Sequence, residues 1–328
     1  AQPLVAPSPP QGGLFLWLKM LRGLAAGLAA MAASASPVVS AMAAGVADPP
    51  IPGNGDPISE EEALRRLRLS DDPSAQYYAA WWLGRNRSSH PEAVPLLQEA
   101  LRQRRPRDPG AGVEENAVAR NAARALGKLG TPAEAAIPDL LATLNDADHG
   151  LREAAARALG ELRALAAVEP LRQRLASGPA VAGAQQAGTP RLQEPCEALL
   201  EALGDIGVTE PAVVAVIEPF VEHERPLIRS AACRALLQLT GDPCWGDRLV
   251  ALLQHQQLQV RRAALMDLGA AGWRQALQPI AATLAENSLK LIALRGLVEQ
   301  GAAPASAPAP GCPDSATVAV LDAMDALL

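Results

Sequence analysis

The sequence predicts an all-α protein: a right-handed α-solenoid (superhelix) of stacked helical hairpins that binds a partner or ligand on its concave face. Three observations carry this prediction. The composition is rich in small residues and leucine, one short phrase keeps returning, and each copy of it has an amphipathic segment beside it. Of 328 residues, 49% are hydrophobic but only 3% are aromatic. Alanine and leucine suit close helix packing, whereas strands favour β-branched and aromatic residues.

The phrase reads R-x-A-A-x-A-L-G. It is clearest as Arg120-Asn121-Ala122-Ala123-Arg124-Ala125-Leu126-Gly127 and again over Arg152–Gly160. Further copies span Tyr78–Gly84, Glu197–Gly204, Arg229–Leu237 and Arg261–Gly269, and a weaker one spans Lys290–Val298. Equivalent positions are 84, 127, 160, 204, 237, 269 and 298, in steps of 43, 33, 44, 33, 32 and 29. A period near thirty with two long steps means two insertions, within Arg102–Ala119 and Gly178–Pro195, both read as loops from their Gly and Pro.

The partner segments are Glu92–Leu101, Ala135–Leu144, Ala166–Leu175, Ala212–Val221 and Ala276–Leu284, with apolar residues at helical spacing. Proline stands near the start of several, as at Pro91 and Pro211, where a missing N–H matters least. One hairpin cannot bury its apolar face alone, so the units must stack. Their length and phrase resemble HEAT-like repeats, about seven of them over residues 58–328, with the end of the chain, Val318–Leu328, as the capping helix.

Residues 1–57 differ. They form a low-complexity Ala/Pro/Gly-rich extension, and Pro49–Gly55 reads as a linker. The preferred reading is a translated upstream extension, disordered, with the true start nearer Met42. The apolar run at 14–47 leaves a signal or membrane-anchor alternative, with Leu24–Ala33 as its core and Ala33-Ser34-Ala35 as a cleavage site.

Two features stand out from the architecture. Tyr77-Tyr78-Ala79-Ala80-Trp81-Trp82 holds four of the nine aromatics. Spacing i, i+4 pairs Tyr77 with Trp81 and Tyr78 with Trp82 on directions about 100° apart. One pair can be core while the other lines a ligand surface; packing of both remains the alternative. The second feature is a set of repeated arginines: Arg85, Arg120, Arg124, Arg152, Arg157, Arg229, Arg234, Arg261 and Arg262. A stacked ladder with Glu153, Glu161, Asp205 and Asp267 accounts for most of them, and such a ladder also presents cations to a carboxylate ligand. The insertion Arg102–Arg107 is basic, and Val181–Leu192 reads as a mobile loop, idle or a lid.

Other classes are disfavoured. A formal net charge of −6 argues against nucleic acid. Cys196, Cys233, Cys244 and Cys312 show no C-x-x-C spacing, so no metal site is expected and the chain reads as reduced and cytoplasmic. No nucleophile–base constellation or phosphate loop is present. From the residues alone, this is a binding scaffold.

Four longer phrases narrow the choice: Tyr77–Arg85 followed by Pro91-Glu92-Ala93-Val94, Arg120–Gly130, Pro195–Gly204 and Leu284–Leu297. Together, from about Ile58 to Leu328, they resemble the E-type (alpha) subunits of heterodimeric phycocyanobilin lyases. The resemblance implies a lyase of phycobilisome assembly that works with an F-type subunit. Such a pair takes a linear tetrapyrrole as substrate and joins it by a thioether to a cysteine of apo-phycocyanin α. No metal or other cofactor is implied, and neither nucleic acid nor stable membrane insertion. A bilin carries two propionates, a long π system and protonatable nitrogens. Arginines, aromatic faces and an acid would suit it. By motif position and chemistry the bilin-binding candidates are Tyr77, Trp81, Trp82, Arg85, Arg120, Asn121 and Arg124, with Glu286, Asn287 and Lys290 added; no residue is assigned a catalytic role. A non-catalytic scaffold or chaperone for phycobiliprotein assembly is the alternative. The basic run at Arg102–Arg107 departs from the acidic loop that the resemblance implies there.

Overall fold

The computed structural model describes residues 58–69, 71–104, 116–301 and 314–328, all within the unit Pro49–Leu328. The extension 1–57, Cys312 and the end of the basic run, 105–107, lie outside the described residues. In chain order the first helices are α1 (Glu60–Leu67), α2 (Pro73–Arg85), α3 (Ala93–Arg102), α4 (Ala117–Leu129), α5 (Ile137–Thr143), α6 (His149–Glu161), α7 (Val168–Leu175) and the single turn α8 (Pro179–Ala182). Then follow α9 (Cys196–Ile206), α10 (Pro211–Ile217), α11 (Pro226–Thr240), α12 (Pro243–Leu252), α13 (Leu258–Ala271), α14 (Leu277–Ala282), α15 (Asn287–Gln300) and α16 (Ser315–Asp325).

Two layers result. Helices α2, α4, α6, α9, α11, α13 and α15 carry the repeated phrase and stack directly on one another, and the remaining longer helices form the second layer. Helix α4 shows why the phrase works. Ala119, Ala122, Ala123, Ala125, Leu126 and Leu129 are buried against three neighbours, leaving Arg120, Arg124 and Lys128 as its open stripe. The leucines of the second layer, such as Leu97, Leu140, Leu171 and Leu249, fill the space between layers with no exposed surface.

A seam of close approaches holds the first layer. A methyl added at Gly84 or Gly127 would lie 2.7 Å from the Cα of Ala125 or Ala158. At Gly160, Gly204 and Gly269 it would lie 2.8 Å from the Cα of Ala202, Ala235 and Ala293. Only glycine permits this spacing, because real side-chain carbons stay near van der Waals distance. In the first four cases the alanine lies two residues before the next copy's glycine position. The same register puts the last copy at Arg295, three residues before the position 298 that the sequence alignment suggested. One junction breaks the rule: position 237 is leucine, and Asp267 stands where the alanine belongs. Between α11 and α13 contact is the sparsest in the layer. Neighbours in the second layer touch still less. A stack held closer on one side curves toward that side, so the seamed layer is the inner, concave one.

The second-layer helices differ from expectation in their ends. Part of each expected helix at 135–144, 166–175, 212–221 and 276–284 is a 3₁₀ turn: Thr131–Ala136, Leu165–Ala167, Glu218–Glu222 and Arg274–Ala276. Pro138, Pro170, Pro219 and Pro279 supply no N–H, so an unbroken α ladder cannot run through them. Side chains of Asp72, Asp148, Asp242 and Asp314 accept N–H groups at the starts of α2, α6, α12 and α16.

Two sets of the repeated arginines do different work. Arg152, Arg229 and Arg261 close the preceding turn. Arg152 Nη1 donates to the carbonyls of Asp146 and Ala147 at 3.0 and 3.2 Å, Arg229 to those of His223 and Glu224, and Arg261 to those of His255 and Gln256. The second group, four or five residues later, faces the concave surface.

The second insertion is anchored at its ends. Its ends pair at a bridge between Gln185 and Leu192, and Leu192 is buried. Arg152 Nη2 donates to the Gln193 carbonyl at 2.7 Å, and Glu194 pairs with Arg152 at 3.3 Å and Arg174 at 3.0 Å. Those anchors come from α6 and α7, so local composition could not reveal them.

Candidate functional site

Counted from each glycine position, residues at −7, −3 and +1 fall on one helical stripe, and on the inner layer this stripe is mostly open, with Ser230 its fully buried member. The −7 row runs Tyr77, Arg120, Glu153, Glu197, Ser230, Arg262. The −3 row runs Trp81, Arg124, Arg157, Glu201, Arg234, Met266 and Ile292, and the +1 row begins Arg85, Lys128, Glu161, Asp205, Gln238. The concave face therefore passes from aromatic on α2 to cationic on α4, through mixed charge on α6, acidic on α9, and apolar near the far end.

On α2 the rings do not pair as expected. Tyr78 stacks on Trp81, with centroids 5.4 Å apart and planes at 27°, and the Arg85 guanidinium lies 5.3 Å from the Trp81 centroid. Trp81 thus takes a ring partner at i−3 and a cation at i+4, and Tyr78 stacks on Trp81 where i, i+4 pairing would put it with Trp82. Trp82, about 100° further round the helix from Trp81, is partly buried and packs against the core.

On α4 the candidates divide. Asn121 is buried and donates to the Tyr77 carbonyl at 3.0 Å, binding α4 to α2. Arg120 donates to Asp148 at 3.1 Å, holding the residue that caps α6. Both have structural work to do. Arg124 is half-buried, and no carboxylate lies within ion-pair distance of it among the described residues. Burial lowers its pKa, with Glu153 opposing, yet an arginine this perturbed remains a cation.

Beyond α4 the ladder is built. Arg157 pairs with Glu153 at 3.4 Å and with Glu201. Arg234 reaches Asp205 at 2.6 Å, Asp267 at 3.6 Å and Glu201 at 3.9 Å. Ser230 donates to Asp267 at 2.5 Å. Burial raises the Asp267 carboxyl to about 6, against the pull of Arg234. Although burial opposes it, Asp205, Glu201 and Asp267 together hold Arg234 above the ordinary arginine range. Glu161, expected in the ladder, makes no ion pair among the described residues; desolvation raises its pKa, with Lys128 opposing and Asp205 adding to it.

Sequence reasoning missed Glu197. Burial and the neighbouring Glu201 and Glu153 push its carboxyl up to about 7, with Arg157 opposing. It therefore exchanges a proton near neutrality, and perturbed acids on concave surfaces are candidates for proton transfer. Aligning the repeats would have put Glu153 and Glu197 in one row.

The C-terminal candidates lie elsewhere. Four inner helices, α6, α9, α11 and α13, separate α4 from α15. Glu286 binds Arg262, Asn287 donates to the Leu327 carbonyl at 2.9 Å, and buried Lys290 donates to the Ala281 carbonyl at 3.0 Å. They lock the end of the array and do not join the α2–α4 cluster.

Among the described residues this face offers an aromatic shelf, a cation with no carboxylate at ion-pair distance and a carboxyl that titrates near neutrality. The thiols of Cys196 and Cys233 are poor nucleophiles, because burial pushes them up to about 12 and about 11. Among the described residues no group of three His, Cys, Asp or Glu gathers as a metal site would require, and no helix is long and apolar enough to cross a membrane.

Comparison with known proteins gives a consistent result. Residues 111–187 match the HEAT repeats model, and residues 75–103 and 260–286 match that of the PBS lyase HEAT-like repeat. The bilin biosynthesis protein RpcE of Synechococcus sp. (strain WH8020) is 47% identical over 272 residues, 83% of this chain and 96% of its own length. A phycocyanobilin lyase subunit alpha from Synechococcus elongatus is 45% identical over 271 residues, again 83% of this chain and 96% of that one. A chain in the solved complex of CpcE and CpcF of phycocyanin lyase from Nostoc sp. PCC7120 superposes with a TM-score of 0.73 at 41% identity, over 85% of this chain and 98% of that one.

Proposed function

The chain belongs to the family of phycocyanobilin lyase alpha subunits, and from that premise we propose that it is one half of a heterodimeric bilin lyase. With an F-type subunit it holds a linear tetrapyrrole, phycocyanobilin, and joins it to a cysteine of the phycocyanin α subunit. The observation that carries this reading is similarity over most of the chain: relatives named phycocyanobilin lyase subunit alpha match at 40–45% identity, and one solved relative comes from a complex of CpcE and CpcF of phycocyanin lyase. The concave face supports it with an aromatic shelf, Arg124 and Glu197.

The reaction requires little of the lyase's own groups. The S–H of the acceptor cysteine adds across the ethylidene double bond of ring A. A carbon–sulfur bond forms, the π bond breaks, the thiol proton ends on the tetrapyrrole and nothing is released. The nucleophile belongs to the acceptor, so the lyase contributes position: it holds the pigment extended, shields it and presents one end. Well-oriented partners gain large effective concentrations. Glu197 supplies a carboxyl able to exchange a proton with a pyrrole nitrogen. The addition needs no metal and no further cofactor. We place this work in the cytoplasm, where apo-phycocyanin meets its pigment; the free thiols of Cys196, Cys233 and Cys244 suit a reducing compartment. Residues 1–57 stand apart from the repeat domain 58–328 in this reading.

Co-expression with an F-type subunit, phycocyanobilin and apo-phycocyanin α tests it. A covalent, fluorescent α subunit is expected. Its absence, under conditions where a verified lyase pair yields product, overturns the reading, and pull-down of apo-protein without transfer would favour a chaperone.

A further inference from the structure

The three arginines of the −3 row occupy equivalent places on α4, α6 and α11, yet among the described residues only two have a carboxylate at ion-pair distance. Arg157 draws one carboxylate from its own helix and one from α9; Arg234 draws on Glu201 and Asp205 of α9 and on Asp267 of α13. Neighbouring inner helices thus complete a guanidinium on this face. For Arg124 they do not. On α2 the facing positions of the three rows are Tyr77, Trp81 and Arg85, which bring rings and a cation in place of a carboxylate. On α6 the nearest acid, Glu153, is bonded to Arg157 at 3.4 Å and lies beyond ion-pair distance from Arg124. A half-buried cation with no directly paired carboxylate among the described residues is costly unless a partner arrives from outside.

We infer that Arg124 is the seat for a carboxylate of the bound ligand, which in the functional reading above is a propionate of the bilin. The neighbouring α2 shelf specifies the rest of that ligand: a flat π system continuous with the carboxylate, lying over Tyr78 and Trp81. Arg120 and Asn121 flank Arg124 but are committed to Asp148 and to the Tyr77 carbonyl, so they hold the seat in place. This assignment rests on the bilin reading for the identity of the ligand and on the row comparison for the residue.

The test is a binding cycle on the assembled heterodimer. Phycocyanobilin and its dimethyl ester, in which both propionates are neutral, are titrated by absorbance against wild type, Arg124→Gln and Arg124→Lys, with helicity checked by circular dichroism. Wild type should bind the free acid about 10- to 100-fold more tightly than the ester, the range for a hydrogen bond between charged groups. Arg124→Gln should lose most of that preference while binding the ester as wild type does. Arg124→Lys should retain part of it, as a point charge without the planar fork. The seat is refuted if Arg124→Gln keeps the full preference for the acid, weakens acid and ester alike, or loses helicity. A wild-type heterodimer that binds neither pigment overturns the functional reading itself, and the seat with it. Wild type that binds both equally refutes the seat alone.

Discussion

Gly160→Ala places a methyl 2.8 Å from the Cα of Ala202 and 3.1 Å from its Cβ. Carbon atoms settle at about 3.5–4.0 Å, so α6 and α9 must part locally by about 0.7–1 Å. Two effects then compete. Alanine in a helix interior is better than glycine by about 1 kcal/mol. Overpacking of a closed interface costs about 1–3 kcal/mol. The balance is a net loss of up to about 2 kcal/mol, or a fall in Tm of about 2–4 °C for each kcal/mol in a domain of this size. The variant should also change shape. With layers about 8–10 Å apart, opening one side by about 1 Å rotates one end of the solenoid against the other by about 6°. Urea denaturation measures the first effect and small-angle scattering the second. A variant that is more stable by the full helix-propensity gain, with unchanged scattering, would show that the seam is not close-packed and would remove the basis for calling this layer the concave one.

Three further outcomes follow from the charged rows. Arg234→Met leaves Glu201, Asp205 and Asp267 facing one another without their shared cation, and about 3–5 kcal/mol of stability should go at pH 7; a urea midpoint within error of wild type would mean the network is inert. Asp267 has its carboxyl raised from an ordinary 3.8 to about 6, so the folded chain binds more protons than the unfolded one between those values. Wild-type stability should therefore carry a component that falls as pH rises from about 4 to 6, and Asp267→Asn should abolish it; an unchanged slope in the variant would contradict this assignment. Glu197→Gln removes a carboxyl that titrates at about 7, and a spectral transition of bound bilin near that pH should vanish with it; survival of the transition would assign it to the pigment or another group.

Much of the scaffold was legible because its logic is steric. A helix that must lie against two copies of itself needs glycine and alanine at fixed spacing, and that spacing survives in the chain even where copies diverge. What stayed hidden depends on groups distant in sequence. Arg152 and Arg157 share one phrase and look alike, but five residues turn them to different faces, one toward carbonyls and one toward Glu153 and Glu201. Tyr78 and Trp81 pair at i, i+3 although helical spacing equally allowed i, i+4, because Trp82 is taken up by the core. Glu286, Asn287 and Lys290 sit in a phrase that marks the family, yet each bonds within the end of the array. A motif can be distinctive for architectural reasons alone. Arg124 is the converse: one of several candidate arginines in the sequence, it is set apart from Arg120, Arg157 and Arg234 only when their surroundings are compared in space.

The break at Leu237 and Asp267 bears on how the molecule yields under load. In a linear array each unit is coupled only to its neighbours, so cooperativity ends where coupling is weakest. Here that point falls between α11 and α13, where a glycine–alanine contact is replaced by a buried acid held by Ser230 and Arg234. The array is thus expected to breathe as two blocks, with amide exchange across Leu258–Ala271 the first place to see it. The aromatic and arginine end, α2 to α4, lies wholly in the first block, so a change of angle at this junction would leave the geometry of Tyr78, Trp81, Arg85 and Arg124 untouched.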